Sequence, residues 1–186
     1  MARRGSRRLV IDASIARAAG NAAHPTSTAC RVLLETVRVI CHRAVMTKPI
    51  VEEWEEHASR FARQWRTTMT TKSKIVWREQ TETSKLRKRI LSATAPSEQI
   101  AVEKDLHLVE AALASDRIVI SADDRMRNIL ARVGQKVDVL NNVVWVNPTN
   151  VAETAIPWLE AGAKSERKRQ LRAWPPSDHG KDPTGN

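Results

Sequence analysis

Two short runs constrain the fold of this 186-residue chain more than any other feature. "RRLVIDASI" (residues 7–15) and "DRIVISADD" (residues 116–124) each string large aliphatic residues together with no polar alternation, and each leads to aspartate, the first directly and the second after Ser121 and Ala122. A strand that is apolar on both faces needs cover on both faces, and parallel sheets sandwiched between helix layers supply it. The rest of the chain fits that demand. Leu9 to Ile15 reads as a buried strand, Thr26 to His42 as a helix after Pro25, Ala44 to Thr47 as a short strand, and "PIVEEWEEHASRFARQW" as a helix. Ser97 to Ser115 reads as a further helix, residues 116–124 as a third strand, and "NNVVWVNPTN" as a fourth that ends at Asn147 and Pro148.

The expected architecture is therefore α/β: a three-layer α/β/α sandwich around a central, mostly parallel sheet of four or five strands. Residues 1–160 read as one domain, in which about residues 60–97 form a basic helical segment. Residues 161–186, rich in charge and proline, read as a basic, flexible C-terminal tail. A hydrophobic content of 41% supports one sizeable core. Apolar runs such as "VVWV" are far shorter than the roughly 20 residues that span a bilayer, and Arg3 and Arg4 precede no secretory apolar stretch. The expectation is a soluble, cytoplasmic chain without membrane contact. Cys30 and Cys41 lie about 16 Å apart on one expected helix, too far to bridge each other.

Lys and Arg outnumber Asp and Glu by 31 to 21, which favours a polyanionic partner such as nucleic acid. The distribution says more than the sum. From Arg60 to Arg89 only Glu79 and Glu82 interrupt a basic series that includes Arg63, Arg66, Lys72, Lys74, Arg78, Lys85, Arg87, Lys88 and Arg89. Those nine side chains are the candidate nucleic-acid track. Trp65 and Trp77 lie within it and are candidates for stacking on unpaired bases, with helix packing as the plain alternative for each.

The acids concentrate elsewhere, at strand ends and core edges. Asp12 and Asp123 end their strands, and in an open parallel sheet the crevice outside the carboxyl ends of the strands is where ligands bind. Asp105 shares a helical stripe with Ala101, Leu108 and Ala112, where a carboxylate is costly unless paired or bound to a cation. Glu53 follows the second strand beside Trp54. Each acid taken singly has a plain explanation: Asp12 as a turn cap, Asp123 and Asp124 as a helix start, Glu52 and Glu53 as part of a solvated face. Taken as an ordered set they describe an acidic pocket, and hard divalent cations such as Mg²⁺ or Mn²⁺ relieve the repulsion such a pocket contains.

In order and context, "LVIDASI", "TKPIVEEW", "KDLHLVEAALASD" and "RIVISADD" resemble the PIN-domain nucleases, the family of the VapC-type toxins. The resemblance spans roughly residues 9–147. It implies catalytic, metal-binding acids at Asp12, Glu53, Asp105 and Asp123, with Ser14 and Ser121 as supporting hydroxyls and with Glu52 and Asp124 as near alternatives. It implies Mg²⁺- or Mn²⁺-dependent hydrolysis of RNA, a cognate antitoxin as protein partner and a homodimer. The long basic stretch departs from the shortest members of the family and leaves RNA against DNA open.

Other chemistries lack their signatures. No GxxxxGK or GxGxxG loop is present, nor a GxSxG elbow. His24, His42, His57, His107 and His179 show no zinc-ligand spacing and read as surface or capping residues. The rival to a nuclease is a catalytically silent subunit that keeps the fold and the basic surface.

Overall fold

A computed structural model describes residues 5–79 and 83–174. Five strands carry the sheet: β1 (Arg8–Ile11), β2 (Arg43–Met46), β3 (Ile75–Trp77), β4 (Ile118–Ile120) and β5 (Val144–Val146). All neighbouring pairs are parallel, in the order β3-β2-β1-β4-β5. Among the described residues seven α-helices fill the connections, α1 (Ala13–Ala18), α2 (Pro25–Val39), α3 (Lys48–His57), α4 (Arg60–Thr71), α5 (Ser84–Ala93), α6 (Gln99–Leu113) and α7 (Asp124–Gly134), and α8 (Ala155–Glu160) follows β5. Right-handed crossovers put the β1–β2 and β2–β3 connections on one face and the β3–β4 and β4–β5 connections on the other. The result is the expected three-layer α/β/α sandwich. Leu9, Val10, Ile11, Val119, Ile120, Val144 and Val146 are inaccessible to solvent, as strands covered on both faces require.

Local chemistry explains the element ends. Asp12 leaves β1 with extended backbone and caps α1, its carboxylate accepting the Ser14 N–H. His24 and Pro25 start α2, the imidazole accepting from the Thr26 N–H and the proline occupying the first turn. The single helix expected over "PIVEEWEEHASRFARQW" is two. Ser59 breaks it: its hydroxyl accepts the Ala62 N–H and donates to the Ala19 carbonyl, so α4 begins in a new direction.

Two further expectations need correction. Residues 60–97 are not wholly helical, because Ile75–Trp77 adds β3 to the sheet beside β2. Nor is the chain after residue 161 a solvated extension as far as Trp174. Gln170 pairs antiparallel with Val144, Leu171 donates its N–H to the Val143 carbonyl, and the Leu171 and Arg169 side chains are buried. The rest of the tail, including His179, lies outside the described residues. Among the described residues no helix is long and apolar enough to cross a membrane.

Candidate functional site

The strand order reverses at β1, whose two neighbours β2 and β4 are reached by connections on opposite faces. Such a switch point leaves a crevice at the carboxyl ends of the strands. Ile11 stands opposite Ile120, Ile120 opposite Val146, Val10 opposite Val45 and Met46 opposite Trp77. One register position beyond, the sheet therefore ends in a row across its edge: Arg78, Thr47, Asp12, Ser121, Asn147. The backbone bonds Arg78 N–H to Met46 (3.0 Å), Asp12 N–H to Ile120 (3.0 Å) and Ser121 N–H to Val146 (3.1 Å) extend the ladder that far.

Asp12 is held by three hydrogen bonds to its carboxylate. Its Oδ2 accepts hydrogen bonds from Ser14 Oγ and Ser121 Oγ, each at 2.6 Å, while Oδ1 accepts the Ser14 N–H at 3.3 Å. The two hydroxyls are themselves fixed, Ser14 Oγ by the Ala122 N–H and Ser121 Oγ by the Asp123 N–H. Charge-assisted bonds of this kind set the carboxylate in one orientation. Asp123 caps α7 through the Met126 N–H at 2.8 Å. Asp124 accepts from the Asn147 amide at 2.9 Å and leaves its other oxygen buried without a hydrogen-bond partner among the described residues.

Asp105 reaches the same crevice from α6. Burial first, then the charges of Asp12, Glu53 and Asp123, push its carboxyl up to about 6. Asp105 thus feels each of the other three acids singled out from the sequence. Glu53, not Glu52, faces inward: Glu52 is exposed and sits 3.8 Å from Lys48 on the outside of α3, whereas Glu53 Oε2 lies 3.3 Å from His107 Nε2.

His107 is the residue that sequence reasoning missed. It is buried, Nδ1 sits 2.8 Å from the Lys104 carbonyl, and Nε2 meets Glu53 at ion-pair range without hydrogen-bond alignment. Burial alone would raise the Glu53 carboxyl, but His107, with Lys104 and His57, outweighs it and holds Glu53 below its ordinary range. Burial alone would lower the His107 ring, but Glu53, the Lys104 carbonyl and Asp105 outweigh it and raise the ring. Thr47, also missed, ends β2 with its hydroxyl buried and unpartnered among the described residues. Among the described residues no three His, Cys, Asp or Glu side chains are gathered tightly enough to hold one metal ion as they stand.

The basic series divides. Lys72, Arg78, Lys85, Lys88 and Arg89 are exposed. Lys74 does not belong with them: its ammonium donates to the Val37 carbonyl (2.7 Å), the Arg38 carbonyl (2.9 Å) and the Ile40 carbonyl, closing the C-terminus of α2. Those three bonds use all three donors of an ammonium, so none is left for a phosphate. Arg87 is likewise turned inward, pairing with both oxygens of buried Glu110 at 2.8 and 2.7 Å and tying α5 to α6. Arg63 reaches the Ala58 carbonyl at 3.0 Å and Arg66 reaches Glu55 at 3.3 Å, contacts that a phosphate would have to share. Trp65 is core, stacked on Trp54 with ring centroids 5.7 Å apart and donating to the Leu34 carbonyl.

No family model and no curated protein matches this chain.

Proposed function

We propose that this chain is a metal-dependent nuclease that hydrolyses RNA phosphodiester bonds, as its resemblance to the PIN-domain family implies. The observation that carries the reading is Asp12. It is fixed at the switch point by hydroxyls from both flanking elements, while burial and the charges of Asp12, Glu53 and Asp123 push the Asp105 carboxyl up to about 6.

The acids fit Mg²⁺ or Mn²⁺ in chemical kind, since all are hard oxygen donors whose mutual repulsion a divalent cation relieves. Because no three of them are gathered tightly enough as they stand, Asp12, Asp105, Asp123 and Glu53 would hold the ion only by closing on it, with Asp12 the preset donor. When bound, the ion lowers the pKa of a water toward neutrality and offsets charge on the phosphate. The chain's own contribution is positional. Ser14 and Ser121 keep Asp12 from rotating, the α7 N-terminus keeps Asp123 beside it, and His107 keeps Glu53 turned inward. The exposed cations Lys72, Lys85, Lys88 and Arg89 supply the attraction that a phosphate strand needs to approach an acidic crevice.

Incubating the purified chain with total RNA in Mg²⁺ or Mn²⁺, and mapping the cleavage ends, tests the reading. Cleavage that EDTA abolishes is expected. Undiminished cleavage in EDTA, or none with either metal, overturns it.

A further inference from the structure

Beside β5 two arginines are buried around one buried carboxylate. Arg127 on α7 is 1% exposed, and Arg169, in the segment that crosses β5, is 4% exposed. Glu153 serves both, its Oε1 accepting from Arg127 Nη1 and its Oε2 standing 4.0 Å from Arg169 Nη1. The Arg127 guanidinium stacks on Trp174 at 3.4 Å, and that of Arg169 faces Trp158 at 5.1 Å. Their other acids, Asp124 and Glu166, are half exposed and act through a higher dielectric. Burial accordingly holds Arg127 below its ordinary range in spite of Glu153. The buried charge is one cation in excess, and such an excess is costly unless an anion meets it.

The geometry points to a binding site for one phosphate group, held by Arg127, Arg169 and Lys168. A cavity of about 220 Å³ opens among these three side chains, Asn150, Glu153 and Trp174. Its donors are not all used. Arg127 Nε is buried with no hydrogen-bond partner, and Arg169 Nη1 stands beyond hydrogen-bond range of Glu153, with no other partner among the described residues. Lys168 is exposed at the rim, 3.6 Å from Glu166. Two guanidinium forks and an ammonium match the several oxygens of a phosphate, which accepts charge-assisted bonds from more than one side. Glu153 does not repel the ligand outright, because its oxygens are engaged by Arg127 and by the Asn147 N–H at 3.2 Å.

The Asn147 bond also places the cavity. Asn147 ends the row along the carboxyl edge of the sheet, so Glu153 forms a wall between that edge and the cavity. Two sources share the chemistry: a phosphodiester of a nucleic-acid strand that passes Asn147, and a free phosphate or phosphate monoester that binds beside the acids. The site itself does not rest on the nuclease reading, since it is built from residues that the acid crevice does not use.

The test titrates inorganic phosphate into the chain in EDTA, with chloride at matched ionic strength as the control. The indole N–H signals of the six tryptophans are followed by NMR, and Trp174→Phe identifies the Trp174 signal. Saturable movement of that signal is expected with phosphate and none with chloride. Lys168→Ala should weaken phosphate by about 2- to 5-fold, the range for one exposed charge contact. Arg169→Gln should weaken it by roughly 10- to 150-fold, the range for a charged hydrogen bond. Lys168 is at the rim, so its variant reads the site even where Arg169→Gln unsettles the fold. A second titration, of labelled RNA without terminal phosphates, separates the sources. Competition by phosphate beyond that of chloride, with a matching loss in Lys168→Ala, assigns the site to a phosphodiester of the strand. RNA binding indifferent to both assigns it to a free phosphate or monoester. No saturable movement, the same movement with chloride, or a phosphate affinity unchanged in either variant overturns the site. No cleavage is read, so failure of the nuclease reading leaves every one of these outcomes intact.

Discussion

The Ser121 hydroxyl donates a 2.6 Å hydrogen bond to Asp12 Oδ2, joining the carboxyl ends of β1 and β4 across 109 residues of chain. Ser14 Oγ binds the same oxygen from the first turn of α1. One carboxylate oxygen thus receives two donors from two elements that meet only because β1 and β4 are adjacent. Asp12→Asn is expected to keep the fold, since Asn caps a helix as well as Asp does and its amide can still pair with either hydroxyl. It removes the charge, and cleavage should fall by roughly two orders of magnitude or more. Full activity in Asp12→Asn, measured on the RNA that the wild type cuts, would remove Asp12 from the site.

Asp105 ties stability to pH. Its carboxyl, ordinarily near 3.8, is pushed to about 6 by burial and by the charges of Asp12, Glu53 and Asp123. Between those values the folded chain binds more protons at this position than the unfolded chain, so stability falls as pH rises through the window and stays lowered above it. In metal-free buffer, Asp105→Asn should raise the melting temperature at pH 7 to 8 and leave it nearly unchanged at pH 4. A variant that melts lower than wild type at pH 8 would contradict the crowding of the four acids.

The Glu53–His107 pair runs through a different window. Glu53 is depressed below its ordinary 4.5, so its stabilisation is present above that value and is lost as pH falls through the folded pKa. His107 is raised above its ordinary 6.5, so its stabilisation is complete below that value and is lost as pH rises through the folded pKa. The pair contributes most between about pH 4.5 and 6.5. His107→Gln should lower the denaturation midpoint most within that window, and the His107 ring should titrate above 6.5 by NMR, moving down in Glu53→Gln. A ring midpoint at or below 6.5 would show that Glu53 does not face it.

Why some of this was legible in the sequence and some was not follows from where each signal resides. Asp12 was legible because an acid directly after a doubly buried strand has few places to go, and Asp123 because it follows a second such strand after only Ser121 and Ala122. Asp105 was legible because its neighbours at helical spacing are apolar. His107 lies two positions beyond Asp105, about 200° around the helix, so spacing set it apart from the acid stripe; only the packing of α3 against α6 brings it to Glu53. Charge counting also failed in a specific way. Lys74 and Arg87 look like their neighbours in sequence, but one closes α2 and the other neutralises Glu110, roles that depend on residues 37–40 and 110. β3 was hidden for the same reason: three apolar residues between lysines and arginines carry too little pattern to separate a strand from a helix.

Arg87 gives a prediction about stability rather than binding. The Glu110 side chain is 5% exposed, and removing its partner strands a buried charge. Arg87→Ala should cost about 3 kcal/mol in denaturant unfolding, while Arg87→Met combined with Glu110→Leu should recover most of that. If Arg87→Ala instead unfolds like wild type and binds RNA weakly, the guanidinium belongs to the track.

The track itself is tested by charges that have no ion-pair partner among the described residues. Lys85, Lys88 and Arg89 are exposed on α5, and replacing all three with Ala removes positive charge without taking a partner from a buried acid. If each neutralises one phosphate of a single strand, the slope of log K against log salt should flatten by about 2, at roughly 0.7 per contact. Lys74→Gln is the matched control. It takes away one charge too, but a charge spent on the carbonyls of Val37, Arg38 and Ile40, so it should lower the unfolding midpoint and leave the salt slope where it was. Cleavage at saturating RNA should change little in the triple variant, because these cations attract the strand and lie outside the acid crevice. Titrating labelled RNA into the three proteins at several salt concentrations separates the roles. An unchanged slope in the triple variant would mean that α5 does not touch the phosphate backbone, and a flattened slope in Lys74→Gln would mean that the cap opens to bind it.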